Sequence, residues 1–212
     1  MMTLASSTII EDIENMRKCG LASLGIFFHD FRDIEKKDLR GLLSSVLVQL
    51  CGQSNSYHDV LSIFYSTHHH GNRALSPSND DLLKCLNRLL QLPGQAPVYL
   101  IIDALNECPN TSATVLPSPR EEILKALKDL FYVQLPNLRI CITSLPEPDI
   151  KAAFNPFAFR SISLHDESGQ REDIANYVKS VVNTHDDMQI WSWNLERSQR
   201  VIKVLTERAD GR

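Results

Sequence analysis

The stretch PVYLIID, residues 97–103, limits the fold of this 212-residue chain more than any other segment. It is apolar without alternation and ends on an acid. A strand with one wet face alternates apolar and polar residues, so an unbroken apolar run predicts a central strand of a parallel sheet covered on both sides. A parallel sheet needs crossover helices, and the flanking sequence supplies them. Residues 4–18 place Ile9, Ile13 and Met16 on one face of an amphipathic helix. A β-branched and aromatic run, LGIFFHDF (24–31), has strand length. Residues 38–51, 56–67, 79–92 and 120–132 carry helical period, the third opened by the start signal Ser76-Pro77-Ser78-Asn79. NLRICITS (137–144) predicts a third strand and FRSISL (159–164) a fourth. Helical segments over 169–183 and 195–208 close the chain. Strand and helix alternate, so the expected class is α/β.

Charge and cysteine usage remove several function classes. With 22 basic and 26 acidic residues the formal charge is −4. That balance lacks the basic excess of a nucleic-acid-binding domain. No apolar run reaches the ~18 residues of a membrane span, and the first residues have no basic segment leading into an apolar core. Five cysteines without a CxxC pair read as reduced thiols of an intracellular protein, and the expected compartment is the cytoplasm.

The candidate site follows from the fold class. Ligands of open parallel sheets bind beyond the carboxyl ends of the strands. VYLIIDALNEC delivers Asp103 to that rim, with Asn106 and Glu107 just beyond. As a Walker B element, Asp103 holds Mg²⁺ directly or through water, because hard cations take oxygen ligands. Glu107 is then the candidate catalytic acid that orients the water attacking a γ-phosphate. On spacing alone, Asp103 capping the next turn is the competing reading. The next strand exits through ITSLPEPDI, where the hydroxyls of Thr143 and Ser144 reach the same rim and can contact nucleotide phosphate.

At this point the chain resembles the NACHT-type P-loop NTPase module of fungal signalling proteins, also described as nephrocystin-3-like N-terminal domains. The resemblance rests on SSTIIEDI (6–13), IFFHDFRDIEKKDLRGLLSSVLVQLC (26–51), VYLIIDALNEC (98–108) and LRICITSLPEPDI (138–150). DIANYVKSVV (173–182) and LTERADG (205–211) extend it. It implies residues 1–165 as an incomplete α/β NTPase-like domain and 166–212 as the start of a helical subdomain. In the intact family it implies Mg²⁺ with ATP or GTP, and a switch that works by self-association or through related NACHT proteins. No nucleic-acid or membrane partner is expected.

Several positions depart from that pattern. The family opens with a strand, a glycine-rich loop and Gly-Lys-Ser/Thr; aligned on SSTIIEDI, those last positions fall on Met2 and Thr3. Thr3 is therefore the candidate Mg²⁺ hydroxyl, with no cradle of backbone N–H groups before it. The spacing Gly20-Leu21-Ala22-Ser23-Leu24-Gly25 imitates a phosphate loop, but Ile26 and Phe27 follow where Lys and Ser/Thr are required. Asn106 stands where the family has a second acid, and Leu145 where TSRPE-type sequences have Arg. The expectation is a nucleotide-switch fragment that does not hydrolyse NTP as this chain, holding no cofactor of its own. The competing expectation is a non-enzymatic interaction fragment of a degenerate or truncated NTPase. Without the family's first strand, the segment 159–164 is expected to be poorly anchored or to pair differently.

Other signals read as structural. His68-His69-His70 cannot all face one ion, and they predict a solvated helix end. His29 reads as a core or edge histidine, Cys108 as a buried thiol, and Trp191 with Trp193 as packing. The mixed charges from Arg32 to Asp38 read as a solvated loop.

Overall fold

β4 (Val98–Asp103) is the middle strand of a parallel sheet in the computed structural model, which describes residues 4–70, 73–74, 76–110, 117–157, 176, 179–180 and 199–205. β1 (Ser23–Phe28) lies on one side of it and β5 (Leu138–Ile142) on the other. Register is set by Ser23 opposite Val98 and Phe28 opposite Asp103, and by Val98 opposite Leu138 and Ile102 opposite Ile142. All three strands run the same way, so Phe28, Asp103 and Ile142 end at one rim. The protein is an α/β fold with a three-stranded parallel sheet flanked by helices.

The two faces are covered unequally. On one lie Leu24, Ile26, Tyr99, Ile101 and Cys141, packed by α1 (Leu4–Lys18) through Ile10, Ile13 and Met16. Ile9, expected on that apolar face, turns outward and is 37% exposed. The opposite face holds the main core. Val98, Leu100 and Ile102 meet α2 (Leu39–Cys51), α4 (Asn79–Leu90) and α5 (Pro119–Tyr132) there. α3 (Asn55–His68) adds Tyr57 and Val60, and α6 (Pro148–Phe154) adds Ile150 and Ala153. A short antiparallel pair, β2 (His69–His70) with β3 (Arg73–Ala74), follows α3. His68 thus ends a helix, and the next two histidines enter that pair.

Local signals explain where the elements begin and end. Asp38 caps α2 by accepting the Gly41 N–H at 2.8 Å. Ser78 and Asp81 form a reciprocal capping box at α4, as do Ser118 and Glu121 at α5. β1 stops at Phe28, three residues before the apolar run does, because the Asp30 carboxylate accepts the Arg32 N–H at 2.9 Å and turns the chain. α4 stops at Leu90 rather than Leu92, ahead of Pro93 and of Gly94 at φ +71°. Gly41 is required by contact: a Cβ there would stand 1.8 Å from the Glu35 carbonyl oxygen.

The outer edge of β1 is closed by side chains. Gln49 accepts the Ile26 N–H at 2.9 Å and donates to the Ile26 carbonyl at 2.7 Å. Gln53 does the same for Leu24, at 2.8 and 2.5 Å. Two primary amides, one on α2 and one just past its end, therefore take the place of a neighbouring strand.

Two compact units divide the chain, Met1–Ala158 and Phe159–Arg212. The described residues of the second, 176, 179–180 and 199–205, are helical. The expected strand at 159–164 lies outside the described residues, as do Trp191 and Trp193. Among the described residues, no helix is long and apolar enough to cross a membrane.

Candidate functional site

Asp103 is the last residue of β4 and is 2% exposed. Its side chain lies on the α1 face of the sheet, because Tyr99 and Ile101 on that face fix the alternation. Its Oδ1 accepts the Thr143 hydroxyl at 2.5 Å, and the same Thr143 oxygen accepts the Ala104 N–H at 3.0 Å. The backbones join as well: Thr143 N–H donates to the Ile102 carbonyl at 2.9 Å, and Leu105 N–H to the Thr143 carbonyl at 3.0 Å. Asp103 and Thr143, read separately from two strand exits, thus meet at one point of the rim.

Beyond Asp103 the chain turns sharply. Ala104 adopts φ 54° and ψ 43°, a left-handed conformation that costs a non-glycine residue about 1–2 kcal/mol. A 3-10 turn, Leu105–Glu107, follows and leaves Glu107 half-buried at its end. On the loop after β1, Arg32 is held protonated chiefly by its hydrogen bond to Asp30 and the charge of that carboxylate, with Glu107 adding the least. Ser144 is exposed, and its hydroxyl donates to the Leu145 carbonyl at 2.6 Å. Thr3 lies outside the described residues.

Behind the rim lie three groups, of which Asn106 and His29 were marked in the sequence without these partners and Arg120 was not marked at all. Asn106 accepts the Leu145 N–H on its side-chain oxygen at 2.9 Å, so it joins the β4 and β5 exits. Arg120 is 6% exposed in the first turn of α5, where the helix dipole disfavours a cation. Oxygen ligands offset that cost: the carbonyls of Asn106 at 2.6 Å and Cys108 at 2.9 Å, and Asp149 at 3.3 Å. An arginine directly behind a Ser-Pro helix start was the available signal.

His29 is the third. It is 3% exposed, and its backbone N–H donates to the Asp103 carbonyl at 3.0 Å. Its Nδ1 lies 3.1 Å from the Lys36 carbonyl. A carbonyl only accepts, so Nδ1 carries the proton and Nε2 is left as a buried lone pair with no donor among the described residues. Burial pushes its pKa down to about 4; the Lys36 carbonyl opposes this and the Arg120 charge adds to it. Cys108, 0% exposed, donates to the Lys37 carbonyl at 3.0 Å. Burial pushes that thiol up to about 12, so it is a neutral donor and not a nucleophile.

These residues fit a magnesium–phosphate ligand in part. Among the described residues no three His, Cys, Asp or Glu side chains cluster to hold a metal. Mg²⁺ is usually bound by one or two carboxylates plus water and phosphate oxygens, and Asp103 is one such carboxylate, steadied by a Thr143 hydroxyl that is itself engaged with Asp103 and the Ala104 N–H.

No curated protein and no solved structure matches the chain. A family model described as "Nephrocystin 3, N-terminal" matches residues 3–144, a span that contains α1, all three strands of the parallel sheet and the Asp103–Thr143 junction. The chain belongs to the nephrocystin-3 N-terminal family.

Proposed function

We propose that this chain carries the magnesium-handling half of a NACHT-type nucleotide switch. The observation that supports this most is the hydrogen bond between Asp103 and Thr143 at the carboxyl rim of a parallel sheet. In this reading Thr143 holds one oxygen of Asp103 in place. The carboxylate turns its charge toward Mg²⁺ or a water of its shell, with Thr3 as a further hydroxyl ligand. Ser144, exposed on the same loop, contacts phosphate. Glu107 orients the attacking water where hydrolysis occurs. Bound Mg²⁺ supplies the positive charge that neutralises the phosphate oxygens.

Switching rather than turnover is the activity we assign. Leu145 offers no cation where phosphate charge develops, and losing such a cation costs ~10³–10⁵ in rate in related chemistry. The phosphate-gripping loop, the fungal setting and the partners (self-association or related NACHT proteins, in the cytoplasm) belong to this same reading. The non-enzymatic interaction fragment is the alternative.

The test is equilibrium titration of Mg²⁺-ATP and Mg²⁺-GTP against the chain and against a version extended upstream by a glycine-rich phosphate loop. The extended form is expected to bind at micromolar levels, and Asp103→Asn to weaken it by about tenfold or more. Neither form is expected to turn nucleotide over. Equal affinity with and without Asp103→Asn would remove the magnesium role, and no binding by either form would favour the interaction fragment.

A further inference from the structure

We propose that Arg120 is a positioning latch that makes the Glu107 turn and the segment after β5 move as one body. The guanidinium grips the carbonyls on both sides of Glu107, those of Asn106 at 2.6 Å and Cys108 at 2.9 Å. Its remaining nitrogen, Nη1, reaches Asp149 at 3.3 Å and Glu147 at 3.8 Å, at the start of α6. A planar fork suits this task, because one rigid group satisfies acceptors in several directions.

Two further stitches run the same way. The Asn106 side chain takes the Leu145 N–H at 2.9 Å, and the Leu105 N–H donates to the Thr143 carbonyl at 3.0 Å. Glu107 therefore cannot shift without pulling on residues 143–149. Any displacement at Thr143 or Ser144 is handed to α6 by the same bonds. Arg120 acts through these segments and touches no reacting atom.

The inference gives the proposed nucleotide site a mechanical output, but the latch itself is measured on the free protein. Its failure would leave the nucleotide reading standing, and absence of nucleotide binding would leave the latch standing.

Hydrogen exchange resolved to single amides, with Asp149→Asn, is the decisive experiment. Asp149 makes no hydrogen bond to the 105–108 turn, and its side chain is 30% exposed, so the variant keeps the core. Joint loosening is expected. The amides of Glu107 and Cys108, bonded to the Ala104 and Leu105 carbonyls, exchange about fivefold faster or more, together with that of Lys151 on α6, while β4 amides keep their protection. Arg120→Lys, which keeps the charge but not the fork, should show the same pattern with unchanged β4 amides. Loosening confined to α6 in Asp149→Asn would overturn the latch. So would a uniform rise across β4, which is the mark of a purely stabilising role.

Discussion

At the scale of single residues, His29 ties the stability of the fold to acid pH. Its folded pKa of about 4 lies below the usual 6.5, so the unfolded chain binds a proton that the folded chain refuses between those values. The stabilisation is therefore complete above pH 6.5 and is lost as the pH falls toward 4. The loss across that window is roughly 3 kcal/mol. Denaturant titrations at pH 7.5 and pH 4.5 should show it, and His29→Phe should flatten that part of the profile. An unchanged slope in the variant would mean that the carboxylates alone set acid sensitivity. The sequence marked His29 only as a core or edge histidine. Its half-satisfied state depends on the Lys36 carbonyl folding back over it, which no local pattern announces.

At the scale of elements, the amide pair on β1 makes its own prediction. An edge strand offers unpaired N–H and C=O groups to any second strand, and proteins guard against this with charges, prolines or cover. Here Gln49 and Gln53 satisfy both groups of Ile26 and of Leu24. Gln49→Ala with Gln53→Ala should bare that edge. We expect weight-average mass in sedimentation equilibrium to rise with concentration more steeply than in the parent chain, with helix content retained. Identical curves would show that the edge is guarded by something else. The helices were legible from their caps and periodicity, since Asp38, Ser78 and Ser118 announce their starts locally. Which helix would lend its glutamines to which strand was not, because the partners lie far apart in sequence and only the crossover brings them together.

At the scale of the whole molecule, the described core closes within Met1–Ala158. A chain ending at Ala158 should therefore unfold in one cooperative thermal transition, followed by circular dichroism. A gradual, featureless melt would show that the remaining residues are needed for folding. The parallel sheet was readable because VYLIID is apolar on both faces and ends on an acid, a combination few other settings allow. That Asp103 and Thr143 share a rim was readable from two strand exits; the hydrogen bond that joins them needs the β4–β5 register. Arg120 was hidden because burial of a cation is decided by distant carbonyls and carboxylates. The glutamine closure also gives the sheet a polarity of growth. Among the described residues the edge not closed in this way is Leu138–Ile142, next to Thr143, so a further strand would enlarge the fold on the flank that carries the Asp103–Thr143 junction.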